Sequence, residues 1–511
     1  MSNWKYVVIL SALSYGGECL KILGIFTYNS ISHSAAYIPI LERLRADGHS
    51  LKLFATFSLS KEAPGDVILG SAQLGRRSYD FEQLKDSHSE RIRFLHLNVT
   101  VEMCRKFLAS KYYEDILQSE DNYDVFITEY FTTSCCITPI VQKLRLPFVV
   151  IQTSSLVSWS SPWINVPDNP SYIPVDFMEL SRSTFWERFR NTMAYAYSHF
   201  FYYTVITPRD DALLDNCKHC TGIKSHDAIQ NTSLILVNSH YSLHGSRPLP
   251  PHVVEVGGIH IQNSKPLPKH IDKWINESKH GVIYFSLGSM IKGHTFPDDK
   301  KQMFINAFGR LPQRVLWKWE NETMPGKTDN IMIEKWMPQF DILCHPNVKA
   351  FIAHGGMLGV TEAVHCGVPM IIMPQFGDQF TNAKAVEASG GGTILDYRYL
   401  DEESIYNALT TALDPKSNKK AKELSARFKD RPLPPLETSI YWIEYVARHG
   451  GAPHLRTAAV GMPLYQYLLL DVIAFLVVIL FSFLFVVYYI SRAILRKLCR
   501  RKQSSQKKKK H

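Results

Sequence analysis

A histidine and two glycines stand between an apolar segment and a helical pattern in the stretch "AFIAHGGMLGVTEAVHCGVP". Glycines at a strand-to-helix corner let backbone N–H groups approach an anion, and the positive end of the helix dipole favours one. His354 can add a hydrogen bond beside Gly355 and Gly356, while Glu362 in the helix can accept hydrogen bonds from hydroxyl groups. The pattern predicts a site for a sugar linked to phosphate, such as the ribose and diphosphate of a nucleotide.

Polar and aromatic residues also follow other apolar segments. His33 lies in "YNSISHSAAY", Glu129 ends "YDVFITE" and Ser289 ends "FSLGS". Two further motifs, "WMPQ" and "MPQFGDQ", contribute Trp336, Gln339, Asp378 and Gln379. Because ligands of open parallel sheets bind beyond the carboxyl ends of the strands, these residues are candidates for ligand contacts.

Short apolar segments recur along the chain with longer helical or loop stretches between them. One set precedes the proline-rich stretch "RPLPPHVVEVGG" and a second set follows it. The predicted strands are 22–26, 51–55, 124–128, 148–152 and 233–238, then 281–287, 315–319, 331–334, 350–353, 370–373 and 393–395. This alternation predicts an α/β protein with two doubly wound, Rossmann-like domains that face a cleft.

An uncharged run near the carboxyl end predicts a transmembrane helix. Val472 to Ile490 is nineteen residues long, about the length that crosses the hydrocarbon core of a bilayer. The following residues, 491–511, hold ten Lys or Arg and no acid, which indicates the cytosolic side. This tail accounts for the formal charge of +10, since the other 47 basic residues balance 47 acidic ones. A basic groove for nucleic acid is therefore not supported.

The amino end favours a secreted or lumenal body. Lys5 precedes an apolar run from Tyr6 to Leu13, and small residues follow, which predicts a cleavable signal peptide that ends near Cys19. The last four residues, "KKKH", match a dilysine retrieval signal of the endoplasmic reticulum. We therefore expect a single-pass type I protein of that membrane, with a lumenal body and a cytosolic tail. Four acceptor sequons for N-glycosylation fall in this body, at Asn98, Asn231, Asn276 and Asn321.

The nine cysteines show no obvious disulfide framework. Cys217 and Cys220 have CxxC spacing, but no second CxxC completes a tetrahedral zinc site. A local disulfide and two plain thiols both remain open for this pair, ahead of zinc.

The run from Trp336 to Gln379 resembles the signature of the UDP-dependent glycosyltransferases, the family of the glucuronosyltransferases and of invertebrate and plant UDP-glucosyltransferases. In it "WMPQ", "HGG", "TEA", "GVP" and "GDQ" stand at the family's spacing. Three further stretches also resemble this family: "VGGIHIQNSKPLP", "VIYFSLGSM" and "RPLPPLETSIYWIEYVARHGGAPHLR". Their residues are most similar to those of the insect branch. The resemblance implies a GT-B fold with an acceptor-binding amino half and a UDP-sugar-binding carboxyl half.

The predicted organisation combines this resemblance with the targeting signals. It comprises a signal peptide at 1–19, an acceptor-binding domain at 20–255, a UDP-sugar-binding domain at 256–455, a transmembrane helix at 468–490 and a basic tail at 491–511.

The resemblance also implies donor contacts by position. Leu358 departs from the family, because vertebrate members have Asn there and the backbone must then supply more of the phosphate contacts. By this resemblance Trp336 stacks on uracil, and Gln339 and Glu362 bind the ribose. The diphosphate is bound by Ser289, His354, Gly355 of the His-Gly-Gly corner and Gly359. The donor sugar is bound by Asp378 and Gln379.

Sugar transfer to a hydroxyl requires a base, because the hydroxyl is a poor nucleophile near neutral pH. The resemblance places His33 at the catalytic histidine, and a carboxylate behind it would orient the imidazole ring. The family usually supplies Asp, whereas this chain has Glu129. The alternative for Glu129 is a carboxylate at the rim that makes no such contact.

No Asp-x-Asp sequence occurs in the chain, although glycosyltransferases that hold the diphosphate through a divalent metal commonly need that pair. We therefore expect no metal and no cofactor, with UDP stabilised by helix-terminal amides, Ser289 and His354. Attack on an α-linked UDP-sugar from the opposite face predicts an inverting enzyme that makes β-glycosides.

The acceptor is less well defined by the sequence. Residues 159–203 include thirteen aromatic residues, which indicates a pocket wall for lipophilic molecules, a surface on the membrane, or ordinary helix core. From the family we expect a small lipophilic acceptor and a UDP-sugar donor, with glucose preferred over glucuronate. A membrane-anchored protein that binds UDP-sugars or lipophiles without catalysis is the alternative, and a homo-oligomer is left open.

Overall fold

Two parallel β-sheets form the body of the protein in a computed structural model that describes residues 19–60, 63–69, 80–81, 100–130, 136–157, 166–175, 184–225 and 230–508. Residues up to Arg456 form one compact unit, and residues from Thr457 onward form a second. Both sheets belong to the first unit.

The first sheet has seven strands in the order β3-β2-β1-β4-β5-β6-β7, and all its neighbouring pairs are parallel. The chain adds β2 and β3 on one side of β1 and then returns to add β4 on the other side. This reversal makes a switch point between β1 and β4. The strands are β1 Lys21–Phe26, β2 Ser50–Ala55, β3 Val67–Ile68, β4 Val125–Glu129, β5 Phe148–Gln152, β6 Leu234–Val237 and β7 Val253–Glu255.

The second sheet repeats this plan with six parallel strands in the order β10-β9-β8-β11-β12-β13. Its switch point lies between β8 and β11. The strands are β8 Val282–Ser286, β9 Arg314–Lys318, β10 Ile331–Glu334, β11 Val348–Ala353, β12 Met370–Ile372 and β13 Gly392–Ile394.

Helices connect the strands. They are α1 Ile31–Ala46, α2 Lys111–Gln118, α3 Thr138–Leu144, α4 Phe185–Phe201, α5 Thr207–Asp215, α6 Tyr241–His244, α7 Lys269–Asn276, α8 Asp298–Gly309, α9 Gln339–Leu343, α10 Met357–Cys366, α11 Gln379–Ser389, α12 Glu402–Leu413, α13 Pro415–Lys429, α14 Pro435–Arg448, α15 Leu464–Tyr467 and α16 Leu470–Lys508. A π-helical turn, Tyr202–Ile206, follows α4, and three short 3₁₀ turns span Gly293–Thr295, Tyr397–Tyr399 and Pro453–Leu455.

Alternate residues of each strand enter different cores, because successive side chains of a strand point to opposite faces. In β1, Leu23 and Ile25 belong to one core while Ile22 and Phe26 belong to another. The strands of the second sheet divide in the same way between two further cores. Both faces of each sheet are therefore covered, which explains why the strands are continuous apolar runs. These observations confirm the predicted α/β class.

Two segments cross between the halves. Helix α14 follows the second sheet in sequence, yet its Ile440, Ile443 and Val446 lie in the same core as Ile22 of the first sheet. In the opposite direction, Phe81 is buried in a core of the second sheet and packs edge-on against Phe296. The sequence pattern indicated neither crossing.

Eleven of the thirteen strands coincide with the sequence prediction to within two residues. The two strands that were not predicted, Val67–Ile68 and Val253–Glu255, are the edge strands of the first sheet. They are only two and three residues long, so they carry no measurable alternation. β7 lies within the proline-rich stretch between the two predicted sets of strands, where no strand was expected.

Six cysteines form three disulfides, Cys104–Cys136, Cys217–Cys220 and Cys344–Cys366. The CxxC pair is thus a local disulfide, which settles the alternative between a bridge and two thiols. The expectation of no framework was wrong for these six residues. Two of the bridges, Cys104–Cys136 and Cys344–Cys366, join residues 32 and 22 positions apart, so their pairing depends on how separate segments pack. The third bridge joins the end of α9 to the end of α10.

The second unit contains a long helix, α16, whose segment Leu470–Arg500 has a mean hydropathy of 3.0 in its most apolar window. It is the one candidate membrane span among the residues that the structure describes. Its apolar side chains are exposed along the helix. The span agrees with the transmembrane helix predicted at 468–490. The predicted signal peptide lies almost entirely outside the described residues, as do the last three residues of the tail.

Candidate functional site

Four of the residues singled out by the sequence lie at the switch points of the two sheets. His33 is in α1, directly after β1, and Glu129 ends β4, the strand beside β1. In the second sheet, Ser289 follows β8, and His354 follows the neighbouring β11. Each pair therefore occupies the ligand-binding position of its own sheet.

His33, Glu129 and Thr153 form one hydrogen-bonded cluster. Nδ1 of His33 contacts Oε1 of Glu129. The Thr153 hydroxyl donates to Oε1 of Glu129 at 3.0 Å and lies 3.0 Å from Nδ1 of His33. Glu129 is nearly buried and the His33 side chain is only slightly exposed. A buried carboxylate against Nδ1 selects the tautomer whose lone pair is on Nε2, which is the form that accepts a proton. The longer side chain of Glu129 thus reaches the histidine, so its alternative as a distant rim carboxylate does not hold.

The ring of His354 is held by the backbone of the neighbouring strand. Gly288, with a φ of +76°, lies so close that a Cβ there would stand 2.6 Å from Cε1 of His354. A side chain at Gly288 would therefore displace the ring. The glycine turn after β8 and the histidine after β11 form a single structure at the switch point, although 66 residues separate them in the chain.

Burial and, to a smaller extent, the nearby charge of Lys318 together lower the pKa of His354 to about 4. The imidazole is therefore neutral at physiological pH. A neutral His354 can offer one N–H to a phosphate oxygen but adds no formal positive charge. The cationic group beside it is Lys318 at the end of β9, which is only 8% exposed and donates from Nζ to Oε1 of Glu320 at 2.6 Å.

Gln339 and Glu362, the two predicted ribose contacts, touch each other. The Gln339 amide donates from Nε2 to Oε2 of Glu362 at 2.6 Å. Nε2 of His260 lies 3.5 Å from the other oxygen of Glu362. Gly359 is buried beside this pair, and a Cβ there would lie 3.0 Å from the Gln339 amide nitrogen. The structure thus gives Gly359 a packing role beside Gln339, and its contact with diphosphate stays a prediction.

Trp336 and Ser289 are both exposed. The indole of Trp336 is 65% exposed, which is unusual for the largest apolar side chain and suits a surface on which a flat ring stacks. Nζ of Lys318 lies 5.9 Å from the centre of this indole. Ser289 stands at the turn after β8, where the backbone N–H of Gly288 donates to the hydroxyl of Ser286 at 3.3 Å.

The side chains of Asp378 and Gln379 differ in the hydrogen bonds that they make within the protein. The Gln379 side-chain oxygen accepts from the backbone amides of Gln375 and Phe376, at 2.8 and 3.2 Å, so it shapes its own loop. Oδ2 of Asp378 accepts from the amide of Asn382 at 2.9 Å. That same amide nitrogen also donates to the carbonyl oxygen of Gly355 at 2.9 Å. Asn382 is fully buried and therefore connects the loop of Asp378 to the His-Gly-Gly corner.

The pKa of Asp378 responds to a residue of the other half. Burial raises the pKa of Asp378, while the Asn382 amide and the proximity of His33 oppose that rise. His33 belongs to the first sheet and Asp378 to the second. His33, the candidate base, therefore lies near enough to Asp378, the candidate sugar contact, to affect its pKa.

Four residues at this site were not predicted from the sequence: Thr153, Lys318, Asn382 and His260. Lys318 was placed inside a predicted strand that in fact ends at this residue, so its position at the ligand-facing edge was hidden. Thr153 directly follows β5 and so occupied a searchable position. Asn382 and His260 carried no local signal, because their contacts are with distant parts of the chain.

The predicted glycosylation sites lie mostly on the surface. Asn231, Asn276 and Asn321 are exposed, while Asn98 lies outside the described residues. Their modification stays a prediction.

Comparison with known proteins assigns this arrangement to a family. The family model "UDP-glucoronosyl and UDP-glucosyl transferase" matches residues 41–508. UDP-glycosyltransferase UGT5 of Dactylopius coccus is 40% identical, over 97% of this chain and 96% of that protein. UDP-glucosyltransferase 2 of the same insect is 36% identical over 95% of each chain. UDP-glucuronosyltransferase 1A7 of Mus musculus is 36% identical over 75% of this chain and 72% of that protein.

Solved structures show the same fold. The glycotransferase of kitacinnamycin superimposes with a TM-score of 0.54 at 18% identity, over 84% of this chain and 99% of that one. A structure named LpCGTa in complex with UDP gives a TM-score of 0.52 at 16% identity, over the same shares of the two chains. These neighbours are GT-B glycosyltransferases, which confirms the predicted fold. The chain belongs to the UDP-glucosyl and UDP-glucuronosyl transferase family and is a UDP-glycosyltransferase.

Proposed function

We propose that this enzyme moves glucose from UDP-glucose to a hydroxyl of a small lipophilic acceptor, with inversion at the anomeric carbon. The observation that carries the proposal is the cluster of His33, Glu129 and Thr153 at the edge that faces Asp378. A base lies in one half of the cleft and a candidate sugar contact lies in the other half.

In this mechanism Nε2 of His33 removes the proton of the acceptor hydroxyl. The hydroxyl oxygen forms a bond to the anomeric carbon as the bond from that carbon to the diphosphate oxygen breaks. The electron pair of the broken bond leaves with UDP. Glu129 stabilises the imidazolium that forms, because its carboxylate accepts from Nδ1. Thr153 holds the carboxylate by its own hydrogen bond.

The departing UDP is stabilised in the second half. The backbone amides at the start of α10, the hydroxyl of Ser289 and the neutral ring of His354 supply hydrogen bonds to the diphosphate. Lys318 lies near His354 and can offer a charged N–H donor to the diphosphate, with Glu320 compensating part of its charge. Trp336 stacks on uracil, and Gln339 with Glu362 binds the ribose.

Glucose is preferred over glucuronate because the relatives that match almost the whole chain include a UDP-glucosyltransferase. The mouse UDP-glucuronosyltransferase matches a smaller share of the chain. Glucuronate is therefore the alternative donor.

The test is incubation of microsomes that hold the expressed protein with UDP-glucose, UDP-glucuronate and a panel of phenols, followed by mass spectrometry. We expect glucosides, with a β configuration shown by the coupling of the anomeric proton. Microsomes with the His33→Ala variant serve as the control. Products that carry only the mass of glucuronate would overturn the donor assignment, and α-glucosides would overturn inversion.

We further propose that transfer needs no metal, since no Asp-x-Asp pair is present to anchor one. Activity in excess chelator is then expected to equal activity without it. Activity that EDTA abolishes and manganese restores would show that the amides, Ser289, His354 and Lys318 do not suffice for the diphosphate.

The proposed location is the membrane of the endoplasmic reticulum, with a lumenal body. The Leu470–Arg500 helix and the basic residues that follow it support this orientation. Protease added to intact microsomes should remove only the short tail, whereas digestion of the whole body without detergent would reverse the orientation. Replacing Lys508 and Lys509 by Ser should release some protein from the endoplasmic reticulum if the tail is a retrieval signal.

A further inference from the structure

Helix α6, Tyr241–His244, follows a strand of the first sheet but packs in the second half. It lies between β6 and β7 in the chain. Its Leu243 belongs to the same core as Ala383 of helix α11. This packing brings His244, the last residue of α6, into contact with the side chain of Asn382.

The hydrogen bonds of Asn382 fix the orientation of its amide. Nδ2 donates to the carbonyl oxygen of Gly355 and to Oδ2 of Asp378, at 2.9 Å in both cases. The reversed amide would turn Oδ1 toward these two oxygen atoms, which are acceptors as well. Oδ1 therefore points away from both. It is buried and has no hydrogen-bond partner of good geometry in the part of the chain that the structure describes, so it needs a donor.

His244 carries a donor for this oxygen. The backbone N–H of His240 donates to Nδ1 of His244 at 3.5 Å, so the proton of the neutral ring is on Nε2. Burial lowers the pKa of His244 to about 4, which keeps the ring neutral at physiological pH, and the Asn382 side chain is the largest contribution that opposes this shift. Nε2 is itself shielded from water. A buried donor and a buried acceptor are therefore carried by two side chains in contact.

The other end of the 238–244 segment is fixed to the catalytic cluster. Asn238 directly follows β6 and is 1% exposed. Its Nδ2 donates to the carbonyl oxygen of Thr153 at 2.9 Å, and its Oδ1 accepts from the N–H of Gly258 at 3.1 Å. The segment thus starts at the backbone of the cluster in the first half and ends at Asn382 in the second.

We propose that His244 is a positioning residue for the transfer reaction. Its Nε2–H donates to Oδ1 of Asn382, and Asn382 in turn holds Asp378 in place for the donor sugar. Hydrogen bonds of this kind are commonly long in the free enzyme and shorten in the complex with substrate. Because the 238–244 segment is also fixed to the first half, it sets how far the donor sugar lies from His33. This role of His244 rests on the proposed contact between Asp378 and the sugar.

The test compares three substitutions of His244 in the full-length enzyme in microsomes, with UDP-glucose as donor and a phenol that the wild type glucosylates. His244→Leu removes both ring nitrogens, and kcat/KM for UDP-glucose should fall about fivefold to tenfold. The amide nitrogen of Gln lies as many bonds from Cα as Nε2 does, so His244→Gln should keep at least about half of the wild-type value. The amide of Asn lies as many bonds from Cα as Nδ1 does, so His244→Asn should resemble His244→Leu.

Ser242→Ala is the matched control, because it removes a 2.7 Å hydrogen bond with His240 at the start of the same helix and does not involve Asn382. Its kcat/KM should stay within about twofold of the wild type. If the wild type uses only UDP-glucuronate, the proposed donor is wrong, and the same comparison made with UDP-glucuronate still tests His244.

A double-mutant cycle tests whether His244 acts through Asp378. When it is added to Asp378→Ala, His244→Leu should lower kcat/KM by less than about twofold more. Asn382→Asp keeps the shape of the side chain but replaces its N–H donors by an acceptor. It should therefore lower kcat/KM at least as far as His244→Leu does.

Three results would overturn the proposal. A wild-type kcat/KM for His244→Leu would show that Asn382 needs no donor from His244. Full activity of His244→Asn together with a loss in His244→Gln would assign the effect to the contact with His240. An equally large effect of His244→Leu in the Asp378→Ala background would show that His244 acts through another residue.

Discussion

The two halves of the cleft hold their functional residues at equivalent ends of the strands, but these residues are spaced differently along the chain. In the first half, His33 and Glu129 are separated by 96 residues, and His33 and Thr153 by 120. In the second half, the donor contacts from Trp336 to Gln379 lie in one short run, and Gln339 is 23 residues from Glu362. The first half thus concentrates the reaction on one histidine, whereas the second distributes binding over many contacts. Damage to the first half should therefore affect turnover, and damage to the second should affect binding.

The largest effect is expected for His33→Ala. A positioned general base typically contributes ~10²–10⁴-fold, so kcat should fall at least about a hundredfold. The dissociation constant for UDP should stay the same, because its contacts lie in the second half. The matched control is His270→Ala, which removes a histidine from an exposed pair with Glu334 at 3.0 Å. A normal rate for His33→Ala would disprove the mechanism.

The next largest effect is expected for Glu362→Ala, and it should appear in binding. Loss of a hydrogen bond to a charged group costs about 1.5–3 kcal/mol, so the KM for UDP-sugar should rise roughly 10–100-fold. Because Glu362 does not touch the reacting atoms, kcat should change little. Glu334→Ala provides the control at an exposed carboxylate. A fall in kcat at unchanged KM would contradict the division of labour between the halves.

Within the first half, Glu129→Ala should reduce kcat less than His33→Ala, by about tenfold or more, since the imidazole remains as a base without its partner. Glu129→Asp should retain more activity than Glu129→Ala, and Thr153→Val should lose only a few-fold because the carboxylate keeps its contact with His33. Steady-state kinetics at saturating UDP-sugar distinguish the three variants. If Glu129→Ala is fully active while His33→Ala is inactive, another group orients the histidine.

The disulfide Cys344–Cys366 provides a smaller perturbation of the second half. It joins the end of the helix that begins at Gln339 to the last residue of the helix that carries Glu362. Replacing both cysteines by Ala should loosen the contact between Gln339 and Glu362 and raise the KM for UDP-sugar about threefold to tenfold, with kcat nearly unchanged. Cys217→Ala with Cys220→Ala is the control, because that bridge lies in the first half. Equal KM changes in both double variants would show only a general loss of stability.

The smallest effect concerns acid stability. Burial and, to a smaller extent, the charges of Lys429 and Arg431 together lower the pKa of His365 to about 4. Unfolded His365 takes up a proton near pH 6.5, whereas the folded residue does so only near pH 4, so stability falls as the pH drops between these values. His365→Gln should therefore reduce the pH dependence of unfolding by about one proton in this range. Thermal melts of the detergent-solubilised enzyme from pH 7 to pH 4.5 measure the slope, and an unchanged slope would show that His365 does not titrate in this way.

Much of this protein follows from its sequence because the relevant signals are local. The parallel strands are continuous apolar runs, the spanning helix is a single uncharged run, and all the predicted donor contacts except Ser289 fall between Trp336 and Gln379. Each of these features depends on neighbouring residues, so periodicity, composition and family spacing were enough to find it. The position of His33 after the first strand was found for the same reason.

Only the tertiary structure decided which distant residues meet. It brought Thr153 to His33 and Glu129, placed Lys318 beside Trp336 and His354, and connected Asp378 to the His-Gly-Gly corner through Asn382. It also paired Cys344 with Cys366, returned helix α14 to the first sheet and left Phe185, Trp186 and Phe189 exposed. None of these contacts has a local signature, because each depends on how whole strands and helices pack against one another. The sequence by itself determined the elements and the donor motif, and packing determined the catalytic cluster that faces it.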